Sequence, residues 1–521
     1  MRASIREHWR VVALVVLLLL STYALFVPGG GSGAGSATVE NSTAAATTNG
    51  GVTNLDYGLE LSGGTRLRAP ITGWTATGVD VPQGEVESVE RAVASELNLS
   101  RNDVRARPSL NAFEVYTDVE DDEFRQAVQS AGLEPEAIES GVTKPTRTAV
   151  KETLEAKIDA TGFSGATVQI SDDRRGNYFI VIEVPNQNAS RVRDLVAGRG
   201  KVEIEAYYPE NGTQVRTSVL TKDDLEQIGQ PTTLRNGRPA VPVVLTEEAA
   251  PRFQQDMRDY GFTESEAASN CEYANKNDTD WCLLTVRDGN VVYSAGVTGG
   301  QNSLQEGWRT GEWVKTPSFV ITATSRAEAL QLYVDLNAGA LPAPLALDNG
   351  TTYYVQPSLA ERFKLNSLIT GIVAALAVAG VIFLRYGRKE VAGPMFLTAM
   401  AEVYILLGFA AGVGLALDLS HIAGFIAVIG TGVDDLVIIA DEVLTQEVTS
   451  SRVFKSRFRK ALWMIGAAAA TTIVAMSPLA VLSLGDLRGF AIITILGVLI
   501  GVIITRPAYG DILRSLITRD H

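Results

Sequence analysis

The chain has 521 residues, of which 46 % are hydrophobic, and its formal net charge is −14 at pH 7. A surface that binds nucleic-acid phosphates needs a concentrated patch of Lys and Arg, which this acidic chain lacks outside short loops. This argues against nucleic-acid binding. An acidic, lysine-poor surface suits high salt, where screening weakens repulsion between carboxylates, and so predicts a halophilic source.

The N-terminal segment contains an apolar run, Val11–Val27, that ends at a Pro-Gly break. No small-residue cleavage site closes the run, so we expect a retained anchor rather than a cleaved signal peptide. Residues 1–27 are thus predicted to form a cytoplasmic N-terminus and a first transmembrane helix. Residues 28–54 are rich in Gly, Ser, Thr and Ala and are predicted to be a flexible linker, because they cannot bury a core.

Residues 55–357 are predicted to form a large external α+β domain, because charged and apolar residues alternate as in a water-soluble protein. Helical periodicity predicts helices over Glu85–Leu97, Asp122–Ala131, Thr148–Ala160, Ser190–Ala197, Glu247–Tyr260 and Arg326–Ala338. Short β-branched or aromatic runs predict strands at Ala166–Ile170, Tyr178–Val184, Val202–Tyr208, Val241–Leu245, Cys282–Arg287 and Phe319–Thr322. The order fits two ferredoxin-like split βαβ units, and so two subdomains.

Side chains for enzyme chemistry are scarce in this domain. The histidines of the chain are His8, His421 and His521, all outside it, which argues against a His-based triad, a His-rich metal site or a bound cofactor. The pair Gly63–Gly64 predicts a tight turn rather than a phosphate loop, because no Gly-Lys-Ser/Thr follows. Cys271 and Cys282, the only cysteines, could form a disulfide in an oxidising exterior, and the spacing leaves this open.

Five further apolar runs follow residue 357, which makes about six transmembrane helices in all. They lie near Leu368–Leu384, Met395–Leu417, Ile422–Ala440, Leu462–Leu482 and Phe490–Thr505. We therefore predict a five-helix membrane domain over 358–505 and a cytoplasmic tail over 506–521. The stretch Ser451–Leu462, with Phe454 and Phe458 among basic residues, predicts a cytoplasmic interfacial helix.

The orientation follows from the cations near the ends of the spans. If the six spans alternate, three clusters fall on one side, which the positive-inside rule makes cytoplasmic. The clusters are Arg2, Arg6 and Arg10, then Arg385, Arg388 and Lys389, then Arg452, Lys455, Arg457, Arg459 and Lys460. The chain is thus predicted to be a multi-pass protein of the cell membrane with both termini cytoplasmic and 55–357 outside.

Two adjacent carboxylates, Asp434 and Asp435, interrupt the fourth apolar run. Each costs about 2.5–3.5 kcal/mol near the bilayer centre, so ion translocation is the leading use for them. A carboxylate that alternates between dry and wet environments would bind and release a proton, although the sequence does not rank protons against sodium. Asp434, about four turns from His421, is favoured for the coupling role.

Asp435 points about 100° away from Asp434 and either shares the coupling role or hydrogen-bonds to Thr431 or Thr471. Glu402 in the third span is either a coupling group or a packing group. We count Asp434, Asp435, Glu402 and Thr431 as the candidate ion-coupling residues. Asp441 and Glu442 are expected at the interface. The cations Arg385, Arg488 and Arg506 are placed at membrane edges, which predicts that another subunit supplies a deep cationic partner for Asp434.

Four motifs resemble those of the SecD family of protein-export membrane proteins, in the resistance-nodulation-division superfamily. YGLELSGGTRL at Tyr57–Leu67 resembles its LGLDLRGG signature and contains Gly58, Gly63 and Gly64. NAGALPAP, with Gly339 and Pro342, resembles its RAGALPAP segment, and residues 424–443 resemble its fourth-span Val-Asp-Ala-Asn motif. The fourth motif, Arg488-Gly489-Phe490-Ala491, lies at the last span.

The resemblance implies that Asp434 is the family's proton-coupling aspartate. Asp435 and Leu436 replace the usual Ala and Asn, which resembles the archaeal form. The resemblance to the SecD family also implies three partners, namely SecF, a SecYE-type channel and a preprotein. The expected function is an accessory subunit of the Sec translocase that uses an ion gradient to assist export. The alternatives are a small-molecule or lipid exporter of the same superfamily and a non-transporting outer sensor or adhesion protein.

Overall fold

The computed structural model describes residues 9–27, 53–173, 176–263, 271, 273, 281–297, 303–387, 389–444, 451–481 and 486–517. Most of the predicted linker therefore lies outside the described residues. The described chain resumes at Thr53, close to the end of the first helix. There the Asn54 side-chain amide donates to Ala24 O at 3.0 Å and to Val27 O at 2.7 Å. These bonds satisfy carbonyls that a helix end leaves without intrahelical partners.

The helices of the domain between the first two spans are α2 (Leu59–Ser62), α3 (Val86–Glu96), α4 (Asp121–Ser130), α5 (Lys144–Thr161), α6 (Ala189–Val196), α7 (Ala249–Asp259), α8 (Leu304–Thr310) and α9 (Arg326–Ala338). Its strands are β1 (Gly64–Pro70), β2 (Trp74–Thr77), β3 (Val104–Arg107), β4 (Ala112–Val115), β5 (Ala137–Ser140), β6 (Thr167–Asp172), β7 (Tyr178–Pro185), β8 (Val202–Glu210), β9 (Thr213–Thr221), β10 (Leu225–Ile228), β11 (Thr232–Thr233), β12 (Pro239–Leu245), β13 (Cys282–Arg287), β14 (Asn290–Ala295), β15 (Ser318–Thr322) and β16 (Thr351–Val355). All six predicted helices and all six predicted strands are present.

Two ferredoxin-like units are present, and one is inserted into the other. In the first unit the chain order is β1, α5, β6, β7, α6, β16, and the antiparallel sheet has the order β16-β1-β7-β6. In the second the chain order is β2, α3, β3, β4, α4, β5, and the sheet order is β3-β4-β2-β5. The second unit occupies the connection between β1 and α5. Both arrangements are the split βαβ pattern that the element order predicts.

The inserted unit is joined to α5 through Glu114, which is fully buried. Its carboxylate accepts hydrogen bonds from Arg107 Nε at 2.9 Å, from the Thr143 N–H at 2.6 Å and from Thr146 Oγ1 at 2.7 Å. Burial acts to raise the pKa of Glu114, but these bonds together hold it below its ordinary value. Burial, followed by the charge of Glu114, raises the pKa of the neighbouring Tyr116 to about 12.

A third subdomain, in addition to the two that the sequence predicts, lies between α6 and β16. It contains the sheets β14-β13-β8-β9 and β10-β12-β11, with β15 paired to β12, and α7, α8 and α9 pack in its core around Phe253 and Trp308. A buried ion group joins it to the first unit. Asp335 on α9 accepts from Lys157 Nζ of α5 at 2.7 Å and from Arg287 Nε of β13 at 2.7 Å, and both Lys157 and Asp335 are fully buried.

Six helices in the described residues are long and apolar enough to cross a membrane. They are α1 (Trp9–Phe26), α10 (Pro357–Tyr386), α11 (Lys389–Val413), α12 (Leu419–Leu444), α13 (Ser451–Val481) and a final pair, α14 (Asp486–Ile500) and α15 (Arg506–Ile517), joined by a π-helical turn over Gly501–Thr505. This confirms the fold class: a polytopic α-helical membrane protein with a large α+β domain between the first two spans.

The membrane helices pack closely at glycines. The missing side chain of Gly408 on α11 leaves space for Ser21 of α1, and those of Gly424 and Gly497 leave space between α12 and α14. Ser451–Leu462 is not a separate interfacial helix, because it forms the first turns of α13, and Phe454 and Phe458 are buried against Tyr509 of α15. By contrast, large parts of α10 and α13 are exposed.

The α+β domain is attached to the membrane helices at two places. Its β16 leads through Gln356 directly into α10. On the other side, Gly58 N donates to Leu417 O and Leu417 N donates to Asp56 O, both at 2.9 Å, so the start of the domain is bonded to the loop between α11 and α12. At the opposite end of the bundle, Arg10 of α1 lies 3.6 Å from Asp511 of α15.

Candidate functional site: a buried charge cluster in the membrane helices

Three membrane helices bring two carboxylates and one guanidinium together. Arg506 Nη1 donates to Glu402 Oε2 at 2.7 Å, and Arg506 Nε donates to Asp435 Oδ2 at 3.1 Å. Thr505 Oγ1 also donates to Glu402 Oε2, at 2.9 Å. The side chains of Arg506 and Glu402 are 1 % and 2 % exposed, and that of Asp435 is 19 % exposed. We call Glu402, Asp435, Thr505 and Arg506 the charge cluster.

The local sequence explains how the long arginine side chain fits. Helical side chains point toward the N-terminus of their own helix, so the Arg506 guanidinium reaches back beside Gly501. A Cβ on Gly501 would lie only 1.2 Å from Arg506 Nη1, which means that any side chain there would displace the cation. Gly432 on α12 likewise faces Arg506 Nη2 and Glu402 Oε2 without a side chain of its own. Single π-helical turns such as Gly501–Thr505 are frequent at functional sites.

One sequence-based expectation about the cations is wrong. Arg506 does not lie at the membrane edge, because the last span continues through it to Leu516 and its side chain is almost fully buried. A buried cation is therefore present in this chain, but it bonds to Glu402 and Asp435, so a cation supplied to Asp434 by another subunit stays a prediction. Hydropathy missed the buried cation because the apolar run stops at Thr505. The sequence feature that could have predicted a buried cation was Glu402 together with Asp435, since buried carboxylates require a compensating partner.

Asp434 does not join the charge cluster. It is exposed on α12, and no cation among the described residues pairs with it. Thr431 is exposed on the same helix, and its hydroxyl donates to Ala427 O at 3.1 Å and to Val428 O at 3.4 Å. The alternative in which Asp435 bonds to Thr431 or Thr471 is not what the structure shows, because the bonded partner is Arg506. The four candidate ion-coupling residues thus divide into an internal pair, Glu402 and Asp435, and an outward pair, Asp434 and Thr431.

Asp441 and Glu442 lie at the end of α12 remote from the α+β domain. Asp441 accepts from Arg385 Nη2 at 2.9 Å and from the Tyr386 hydroxyl at 2.9 Å. Glu442 accepts from Lys460 Nζ at 3.0 Å. Both acids therefore bond to groups at the ends of neighbouring spans.

The family-like glycine motifs meet where the domain contacts the membrane helices. A Cβ on Gly58 would lie 1.7 Å from Asp418 Oδ1, and one on Gly489 would lie 2.4 Å from Ser420 Oγ. Gly63 and Gly64 have positive φ, 75° and 133°, as the chain turns from α2 into β1. Arg488 lines an adjoining cavity of about 530 Å³ together with Arg66, Arg68 and His421.

The other family-like loop, around Gly339 and Pro342, is held inside the α+β domain. Arg199 donates through Nε to Leu341 O at 2.9 Å and through Nη2 to Pro342 O at 2.7 Å. Its Nη1 donates to Asp103 of the inserted unit at 2.9 Å. One arginine thus binds this loop to the second ferredoxin-like unit.

Cys271 and Cys282 are joined by a disulfide, with Cα atoms 5.2 Å apart. Cys282 begins β13, so the bond ties the segment before that strand to the third subdomain. Among the described residues, no group of three or more His, Cys, Asp and Glu side chains is arranged to hold a metal ion.

Comparison with known proteins identifies the family. The family described as "Protein export membrane protein SecD/SecF, C-terminal" matches residues 344–514, which include the whole charge cluster. A protein named "Protein-export membrane protein SecD" from Haloferax volcanii is 48 % identical and covers 99 % of this chain and 100 % of its own length. The chain belongs to the SecD family.

A second SecD protein, from Haloquadratum walsbyi, is 47 % identical to this SecD-family chain, and the match covers 98 % of this chain and 99 % of that protein. Both organisms are haloarchaea, which agrees with the halophilic source that the acidic composition predicts. A crystal structure of SecDF from Thermus thermophilus, titled a translocon-associated membrane protein, aligns with a TM-score of 0.48 at 18 % identity. The match covers 99 % of this chain but only 59 % of that SecDF chain.

Proposed function

We propose that this chain is an accessory, non-enzymatic subunit of the Sec protein translocase that uses an ion gradient to assist preprotein export, acting with SecF. The charge cluster is the observation that carries the proposal. Burying a carboxylate or guanidinium costs several kcal/mol even after relaxation, so a helix bundle keeps such groups at membrane depth where they serve transport. An anchor or sensor would need none of them.

The outward face of α12 supports a partner within the membrane. Asp434 and Thr431 lie on this face, and an aspartate exposed to lipid would be costly. Thr431 follows Ala427 by one turn and Ala423 by two turns. Small residues at this spacing let a second helix approach closely. The matching family model is described for SecD and SecF together, so we propose SecF as the partner that packs against this face.

The attachment of the α+β domain supports coupling between ion movement and export. The domain is bonded at Gly58 to the loop that joins α11 and α12, the helices that carry Glu402 and Asp435, and it continues at β16 into α10. A shift of α11 against α12 would therefore tilt the domain relative to the membrane. In the proposed cycle, this tilt grips or releases a preprotein that emerges from a SecYE-type channel.

The location of the cations supports the orientation. Arg10, Arg385 and Lys460 lie at the end of the bundle remote from the α+β domain, where Asp511, Asp441 and Glu442 pair with them. The positive-inside rule makes this end cytoplasmic. We therefore propose a multi-pass protein of the cell membrane with cytoplasmic termini and an extracellular α+β domain.

The test replaces Asp434 with Asn in cells that make normal amounts of the protein, and a pulse-chase assay follows a secreted protein. Asp441→Asn is the matched control, because it removes a carboxylate from the end of the same helix. We expect Asp434→Asn to slow export to the rate of a deletion strain and Asp441→Asn to export at the normal rate. Normal export by Asp434→Asn would contradict the coupling role of this residue.

Purification separates this proposal from a small-molecule or lipid exporter of the same superfamily. A translocase subunit should copurify with SecF and the channel, whereas an exporter should assemble with copies of itself. Homo-oligomers without SecF would contradict the proposal.

A further inference from the structure

The charge cluster is not electrically balanced. It contains two carboxylates, Glu402 and Asp435, and one guanidinium, Arg506, so with all three ionised it carries one net negative charge. Among the described residues, no second cation is bonded to either carboxylate. A net charge buried at membrane depth is costly, because the low dielectric neither solvates nor screens it. One added monovalent cation would make the cluster neutral.

One buried carboxylate oxygen of the cluster is available to receive that cation. Three of the carboxylate contacts in the cluster are made by Glu402 Oε2 and Asp435 Oδ2, which accept from Arg506 and Thr505. Glu402 Oε1 is buried and has no hydrogen-bond partner within the described part of the chain. A buried carboxylate oxygen without a partner carries the full desolvation penalty, which protonation removes.

The geometry favours a proton over a sodium ion at this atom. A hard metal cation requires several oxygen ligands in its first shell, and Glu402 Oε1 is the one buried oxygen of the cluster without a hydrogen-bond partner among the described residues. The oxygen on the other side of the same carboxylate is already bonded to Arg506, so a metal ion here would also lie close to a fixed positive charge. A proton needs neither additional ligands nor additional space.

We propose that Glu402 is a proton-binding residue of this SecD-family chain and that Arg506 is its internal counter-ion, shared with Asp435. This inference rests on the proposed function and names the ion as a proton. Proton uptake converts the Glu402 carboxylate to a carboxylic acid with the O–H on Oε1. The acceptor of the bond from Arg506 Nη1 then loses its negative charge, so the bond weakens, and Arg506 is left with Asp435 as its one ionised partner.

The exchange of partners gives the proton a mechanical effect. Glu402 lies on α11 and Asp435 on α12, so a weaker Arg506–Glu402 bond loosens α15 from α11 while its bond to α12 remains. The π-helical turn before Arg506 is the part of the last span where the helical hydrogen-bond pattern already changes. The groups facing the Glu402 carboxylate are Arg506 and Thr505 from the last span and Asp435 from α12, with Asp434 turned outward.

The experiment measures protonated carboxyl groups directly by infrared spectroscopy of the purified full-length protein at constant high salt. We expect a protonated-carboxyl band at neutral pH that disappears at higher pH, is lost in Glu402→Gln, and remains in the control Asp441→Asn. Arg506→Gln should double the intensity of the band, because the second carboxyl then also becomes neutral. Exchanging Na⁺ for K⁺ at equal ionic strength should not change the band.

The proposal is overturned if wild-type protein shows no protonated-carboxyl band at neutral pH, if the band persists in Glu402→Gln, or if Na⁺ removes it. The wild-type pH series and the Na⁺/K⁺ exchange need no variant, so a misfolded variant does not block the test. No export is measured, so the band can be absent while Asp434→Asn still slows export to the rate of a deletion strain. Failure of the proton site and failure of the proposed function are therefore distinguishable.

Discussion

The buried ion group at Asp335 predicts a large loss of stability on a single substitution. Asp335→Asn removes the negative charge that compensates Lys157 and Arg287, while Lys157 Nζ remains fully buried. Breaking one partner of a buried ion pair costs about 3–5 kcal/mol, because it leaves an uncompensated charge. The exposed pair Arg193–Asp348, whose side chains are 46 % and 102 % exposed, provides the control. Loss of an exposed pair costs about 0–1 kcal/mol.

Urea unfolding of the full-length protein, followed by tryptophan fluorescence, measures this difference. Trp308 and Trp313 belong to the same core as the apolar face of α9, so they report on the subdomain that contains Asp335. We expect Asp335→Asn to lose about 3–5 kcal/mol and Asp348→Asn to lose less than about 1 kcal/mol. Adding Lys157→Met to Asp335→Asn should restore part of the lost free energy of unfolding, because it removes one buried charge that has no partner. Equal losses for the two single variants would refute the reasoning.

Three further predictions concern other parts of the chain. Gly501→Ala should reduce export to the deletion level, since its Cβ would displace the buried guanidinium, whereas Gly466→Ala, which meets nothing within 4 Å, should export normally. Replacing Cys271 and Cys282 with Ser together opens a loop with a sequence separation of 11 and should cost roughly 2.5–3 kcal/mol in urea unfolding; a loss no larger than that of the Asp348 control would contradict this. The pKa of Glu114 is lower in the folded protein than its ordinary value of 4.5, so the ionised carboxylate stabilises the fold above pH 4.5. This contribution is lost as the pH falls through the lowered pKa of the folded state. The stability difference between wild type and Glu114→Gln should shrink over that acidic range, and a constant difference would contradict the assignment.

The positions of the helices and strands follow from local sequence. Arg326–Ala338 and Cys282–Arg287 begin and end where periodicity and residue type predict. The six spans follow from hydropathy, because a bilayer requires about 20 consecutive apolar residues whatever lies beside them. The two ferredoxin-like units follow from the order of strands and helices.

The sequence by itself thus determined six spans, an α+β domain between the first two, and Asp434, Asp435 and Glu402 as the acids of interest. It did not determine that one ferredoxin-like unit is inserted into the other, because strand pairing depends on residues far apart in the chain. It also placed Arg506 at the membrane edge. Only the tertiary structure shows that Arg506 bonds to Asp435 and Glu402, residues 71 and 104 positions away in the sequence, while Asp434 faces outward. Local hydropathy indicates only that an arginine follows an apolar run, whereas the packing of three helices decides which carboxylates surround it.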